Sequence, residues 1–163
     1  KLSGATLSKN GIEGNHATTS GGGVYVDESG ATLKESRVMT NSARNGGGIY
    51  LERSNTASFI DVGISGNVAD NNGGGLYISH SDIRLTDHTI AGNRAAASGG
   101  GIYLDNSAIT FERNLLRNNQ AGLSGGGIAL ANDSNALMSS SAVIDTRRAE
   151  PAAAFWSLPR HPT

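Results

Sequence analysis

Gly-Gly-Gly followed by an aliphatic residue or its equivalent begins at Gly21, Gly46, Gly73, Gly99 and Gly125. The steps between these triplets are 25, 27, 26 and 26 residues. A fixed period of this size marks stacked structural units, each burying a face against its neighbours. Nearly the whole chain belongs to this array.

The underlying period is tighter than the glycines suggest. Asn15, Asn41, Asn67, Asn93 and Asn119 stand 26 apart, and Asp145 continues the series. Leu7, Leu33, Phe59, Leu85, Phe111 and Leu137 keep the same step, as do Ile12, Val38, Ile64, Ile90, Leu116 and Ala142. Ala17, Ala43, Ala69, Ala95 and Ala121 form a small-residue column that ends where Arg147 takes the next place. One residue missing before Gly46 and one added within Ser54–Ser58 account for the slips in the glycine spacing.

Within a unit the apolar residues alternate with period two: Ile102 and Leu104 flank Tyr103, and Ile83 and Leu85 flank Arg84. This is the pattern of short strands with one face inward. Clusters of Gly, Asn, Ser and Asp separate the strands, as turns require. Each unit reads as three short strands. Three strands in about 26 residues, repeated in register, predict an all-β fold, a right-handed parallel β-helix of five to six coils. Successive coils would rise by one inter-strand spacing, ~4.8 Å. The Asn column is then a structural ladder, its carboxamides satisfying turn backbone in the adjacent coils.

With 163 residues and a net charge of −1, the chain offers no basic field for nucleic acid. No apolar run is long enough for a transmembrane segment. Without cysteine there is neither a disulfide framework nor a thiolate metal site. The chain opens on Lys1-Leu2-Ser3, already in register, and is expected to be a fragment of a longer array. Residues 1–151 are assigned to the repeat array, and 152–163 to a degenerate last coil and disordered tail. Ala152-Ala153-Ala154-Phe155-Trp156 lies one residue late for the next triplet, which suits either a cap or a shifted reading frame.

The pairings Ile64-Ser65-Gly66-Asn67-Val68-Ala69 with Gly73-Gly74-Gly75-Leu76-Tyr77, and Ile90-Ala91-Gly92-Asn93-Arg94-Ala95 with Gly99-Gly100-Gly101-Ile102-Tyr103, resemble the polymorphic outer-membrane protein repeat. They are also similar to repeats of secreted pectin-lyase-like β-helix proteins. The resemblance covers about residues 4–145, with Gly in place of the family's Ala in the triplet and Ile, Val or Leu in place of Phe before the Asn motif. It implies an extracellular or cell-surface protein, an adhesin or autotransporter passenger associated with the bacterial outer membrane. No catalytic residue and no cofactor carry over from it.

Two polar columns have functional readings. Lys9, Glu35, Asp61, Asp87 and Arg113 stand 26 apart. Stacked carboxylates at Glu35, Asp61 and Asp87 suit acid–base work on a sugar or a Ca²⁺ site, and equally a solvated column of turns. Tyr25, Tyr50, Tyr77 and Tyr103 should point outward, either as a binding surface for a glycan or flat partner, or as a ladder packed on itself. His80 and His88, near Asp82 and Asp87, fall in different columns and read as isolated surface histidines rather than a metal site.

The leading functional expectation is a non-catalytic extracellular scaffold. Its partners would be a glycan or host-cell surface and the flanking coils of the parent protein. The alternative is a carbohydrate-active lyase or hydrolase, or a fragment of one. A pure spacer within a surface protein is a third reading.

Overall fold

A computed structural model describes residues 4–148. They form a parallel β-solenoid of about six coils, with no helix among the described residues. Its parallel stacking fits the expected right-handed, pectin-lyase-like β-helix. The period becomes contact in space: Leu85 lies between Phe59 and Phe111, and Ile90 between Ile64 and Leu116.

Each coil crosses four sheets, not three. Sheet I holds the strands that follow the triplets, from Val24–Asp27 to Ile128–Ala131. Sheet II runs from Thr6–Ser8 to Asn135–Ser139, and sheet III from Gly11–Glu13 to Ala142–Ile144. Sheet IV is built of two-residue strands, from Ser42–Ala43 to Arg147–Arg148. Two residues are too few to display alternation, so this sheet marks the sequence only by its alanine column.

The inward residues of sheets I, II and III make one continuous core that includes Ile49, Leu85, Ile90, Leu104, Phe111 and Leu116. The expected stack of Leu33, Phe59, Leu85 and Phe111 is buried throughout. Sheet IV contributes only alanine, with Ala43, Ala69, Ala95 and Ala121 buried. The glycine triplets explain why nothing larger fits nearby. A Cβ on Gly47 would fall 2.3 Å from Val68 O, and one on Gly100 would fall 2.4 Å from Gln120 O. The third glycine is equally confined: a Cβ on Gly75 would lie 2.6 Å from Gly101 O and 3.1 Å from the Asn93 carboxamide. Gly, not Ala, therefore ends the triplet in this chain.

Four residues per coil turn the corners in the left-handed region. In one coil these are Arg53 (φ 44°), Asp61 (φ 48°), Gly66 (φ 63°) and Gly73 (φ 69°). The residue after each of the first three corners points inward, and Ser54, Val62 and Asn67 are buried. The kink resets the strand alternation, so Ser54 and Asn67 place polar side chains beside the core while Arg53 and Asp61 stay exposed.

The end of the array departs from the expected columns. The tight turn containing Asn132 and Asp133, both left-handed (φ 47° and 56°), inserts one residue. Met138, not Leu137, therefore lies beside Phe111, and Val143, not Ala142, beside Leu116. Arg147 faces Gln120 and Arg148 takes the alanine position, while Asp145 occupies a left-handed corner (φ 50°) like Asn118 (φ 55°) rather than continuing the Asn ladder. The earlier slip lies where expected, in the turn closed by Ala57 N–H donating to Ser54 O at 3.0 Å. Residues 1–3, the Ala152–Trp156 segment and the rest of 152–163 lie outside the described residues.

Candidate functional site

Three polar ladders line the corners and hold the coils in register. In the Asn ladder, Oδ1 of each residue accepts both the backbone N–H and the Nδ2–H of the Asn one coil earlier, at 2.9–3.1 Å. The Nδ2 groups of Asn41, Asn67, Asn93 and Asn119 also donate to Ile12 O, Val38 O, Ile64 O and Ile90 O. Asn41, Asn67, Asn93 and Asn119 are buried, while Asn15 on the first coil is exposed. Every polar group of an interior Asn is thereby engaged.

The second ladder is serine, and the sequence reading missed it. Ser29, Ser54, Ser81, Ser107 and Ser134 each accept, through Oγ, a backbone N–H from the coil before. Its signal was present as five serines at steps of 25, 27, 26 and 27.

The third ladder mixes residue types. Asn10 N–H donates to Ser36 Oγ, Val62 N–H to His88 Nδ1, His88 N–H to Asn114 Oδ1 and Asn114 N–H to Ser141 Oγ. His88 is therefore buried, at 2% exposure, and is not a surface histidine. It follows the left-handed Asp87, so its ring turns inward to cap Val62. Burial lowers its pKa to about 4, outweighing the raising effects of its backbone hydrogen bonds and of Asp61 and Asp87. Nε2 is buried without a hydrogen-bond partner of good geometry. His80 is exposed beside Ser79, with its Nδ1 2.9 Å from Ser79 Oγ.

The acid column stands on one line of corners. Lys9, Glu35, Asp61, Asp87 and Arg113 are all left-handed, with φ between 48° and 61°, and all exposed. Its ends are paired: Lys9 Nζ lies 3.5 Å from Glu35, and Arg113 grips both oxygens of Asp87 at 2.8 and 3.0 Å. The Arg113 hydrogen bonds hold the Asp87 carboxyl below its ordinary pKa. Among the described residues, no three His, Cys, Asp or Glu side chains converge on a point where a metal ion would sit. A shallow depression of about 420 Å³ runs over this column, lined by Lys9, Glu35, Ser36, Arg37, Asp61 and Gly63, among others.

The tyrosine column lies outward on sheet I, half-buried. Ring centroids are 5.4 Å apart for Tyr25–Tyr50, 4.8 Å for Tyr50–Tyr77 and 4.9 Å for Tyr77–Tyr103. The first two pairs are stacked, with interplanar angles of 14° and 19°, and the third is tilted by 35°. The inner rings thus spend their faces on one another and turn their edges outward. The Tyr25 hydroxyl donates to Glu52 (3.4 Å) and the Tyr77 hydroxyl to Asp105 (3.0 Å). Burial, reinforced by Glu52, pushes the Tyr50 phenol up to about 12. Burial followed by the Asp105 hydrogen bond raises Tyr77, and burial raises Tyr103.

A family model described as periplasmic copper-binding protein (NosD) matches residues 4–132, nearly the whole of the regular array. The chain belongs to the NosD family. Neither a curated protein nor a solved structure gives a match. The family match supports the parallel β-helix and leaves the polymorphic outer-membrane repeat as a likeness of motif.

Proposed function

We propose that this chain is a non-catalytic, exported β-helix scaffold, an adhesin-like or autotransporter-passenger segment that offers a long repetitive wall to an extended glycan or flat partner at the cell surface. One observation carries this reading: the wall is even. Among the described residues from Thr32 to Arg148, no more than six residues separate consecutive strands. A deep cleft needs loops that rise above the sheets, and segments this short are taken up in turning corners. The periplasmic description of the NosD family supports export.

The copper named in that description does not fit the described residues of this chain. Copper(I) favours thiolate and thioether ligands, and copper(II) favours imidazole. The sequence has no cysteine. Met39 lies on sheet III and Met138 on sheet II, four coils apart. The Nδ1 of His88 is already taken by Val62 N–H. His16 Nδ1 lies 3.0 Å from Ser42 Oγ, on a different side of the coil.

The contact surface assigned to this scaffold is the outward edge of Tyr25, Tyr50, Tyr77 and Tyr103 with the neighbouring acids. Weak contacts would add along its length. Glycan-array and cell-binding assays should show weaker binding by the Tyr50→Ala/Tyr77→Ala variant than by the native chain. Equal binding, with the fold intact, removes the tyrosines from the contact surface.

The carbohydrate-active alternative has one observation in its favour. The depression contains two carboxylates of the acid column, Glu35 and Asp61, beside Arg37. Incubation with pectin and alginate, with and without Ca²⁺, is expected to yield no lyase or hydrolase product. Turnover that disappears in Asp61→Asn would establish the enzyme reading instead.

A further inference from the structure

We propose that the tyrosine column is a site of oxidative modification, at which a one-electron oxidant joins neighbouring coils covalently through dityrosine. The column places four phenols in a continuous row, with every neighbouring pair of centroids 4.8–5.4 Å apart. Each ring belongs to a different coil, 25 to 27 residues from the next. The rings are half-buried, so their edges are open to a small oxidant while their faces stay in contact.

Carboxylates supply proton acceptors at two of the four phenols, and solvent takes the proton from the others. Each tyrosine gives one electron to the oxidant and its phenolic proton to an acceptor. For Tyr25 the acceptor is the Glu52 carboxylate, and for Tyr77 the Asp105 carboxylate. Two adjacent phenoxyl radicals then form one carbon–carbon bond between ring positions ortho to oxygen. As the rings regain aromaticity, the two ortho hydrogens move to the phenolic oxygens. The pair has then lost two electrons to the oxidant and two protons to the acceptors and water, and both phenols are restored.

The chain has no cysteine, so no disulfide can join its coils. Among the described residues, hydrogen bonds, ion pairs and packing otherwise hold the coils together. A bond across one coil closes a loop of about 26 residues in the unfolded chain and so restricts its freedom, as other cross-links do.

The test uses the purified chain at low concentration and a photogenerated one-electron oxidant, a ruthenium tris-bipyridyl complex with persulfate. The folded chain is expected to gain dityrosine fluorescence while remaining monomeric. Its mass should fall by two hydrogens per cross-link. Peptide mapping should join the segment carrying Tyr50 to that carrying Tyr25 or Tyr77, or Tyr77 to Tyr103. The Tyr50→Phe/Tyr103→Phe variant keeps the aromatic stack but leaves its remaining tyrosines, Tyr25 and Tyr77, two coils apart. It should lose the intramolecular cross-link, while its circular dichroism and melting curve show the coil intact. Three results would overturn the proposal: folded chain cross-linking no more than urea-unfolded chain, cross-links only between molecules, or the double variant cross-linking as well as the native chain.

Discussion

Asn67 and Asn93 are joined through a single oxygen: Oδ1 of Asn93 accepts the backbone N–H and the Nδ2–H of Asn67, both at 3.0 Å. The same carboxamide donates from Nδ2 to Ile64 O and to Asn119 Oδ1, also at 3.0 Å. One buried side chain thus closes the corner between two coils and passes the register to a third.

Asn93→Ala should break this link on both sides. It strands the Asn67 donors and the Ile64 carbonyl in a site with no exposure to solvent. Each buried group left unpaired costs ~1–3 kcal/mol. Urea melts should show a loss of at least that size, and a change within error would mean that the ladder only accompanies the fold.

Two glycine substitutions separate crowding from backbone strain. At Gly92 (φ +64°) an added Cβ meets nothing within 4 Å. Gly92→Ala should therefore cost only the left-handed penalty, ~1–2 kcal/mol. At Gly100 the Cβ would fall 2.4 Å from Gln120 O and 2.5 Å from Gly126 O. Those oxygens belong to the stacked backbone and cannot move singly. Gly100→Ala should lower the thermal midpoint far more than Gly92→Ala, and equal shifts would contradict the packing assigned to the triplet.

Phe111 is fully buried in the sheet II column, between Leu85 and Met138. Phe111→Ala should destabilise by ~3–5 kcal/mol, the transfer and cavity cost of a buried aromatic. Denaturant unfolding provides the measurement, and a cost below ~1 kcal/mol would be incompatible with this burial.

His88 gives the fold a dependence on acid. Burial holds its folded pKa at about 4, below the ordinary value of 6.5, so the fold favours the neutral ring. The resulting stability is fully present above pH 6.5 and is lost as the pH falls from there towards about 4. The gap corresponds to roughly 3 kcal/mol at most. His88→Asn substitutes the residue that does the same capping one coil later, at Asn114. Melts between pH 7 and pH 4 should therefore show a shallower loss for the variant, and parallel curves would assign the acid sensitivity elsewhere.

The periodic columns made the solenoid legible because stacking turns a sequence interval into a spatial contact. Residues one period apart, such as Leu85 and Phe111, become neighbours in parallel strands. As far as the fifth coil, the core columns, the Asn ladder and the outward tyrosine row are therefore set by sequence alone. Other features depend on the sign of φ at single corner residues. Asp87 and Arg53 adopt left-handed geometry without any mark in composition, and the residues that follow them turn inward. Tertiary structure thus decided that His88 is buried, that the serines form a ladder, and that two-residue strands make a fourth sheet. It also decided the last coil's register, because a tight turn containing Asn132 and Asp133 takes up one extra residue. The tyrosines show the division most plainly. Alternation pointed them outward, but only the ~5 Å rise per coil brought their rings face to face and left their edges as the exposed surface.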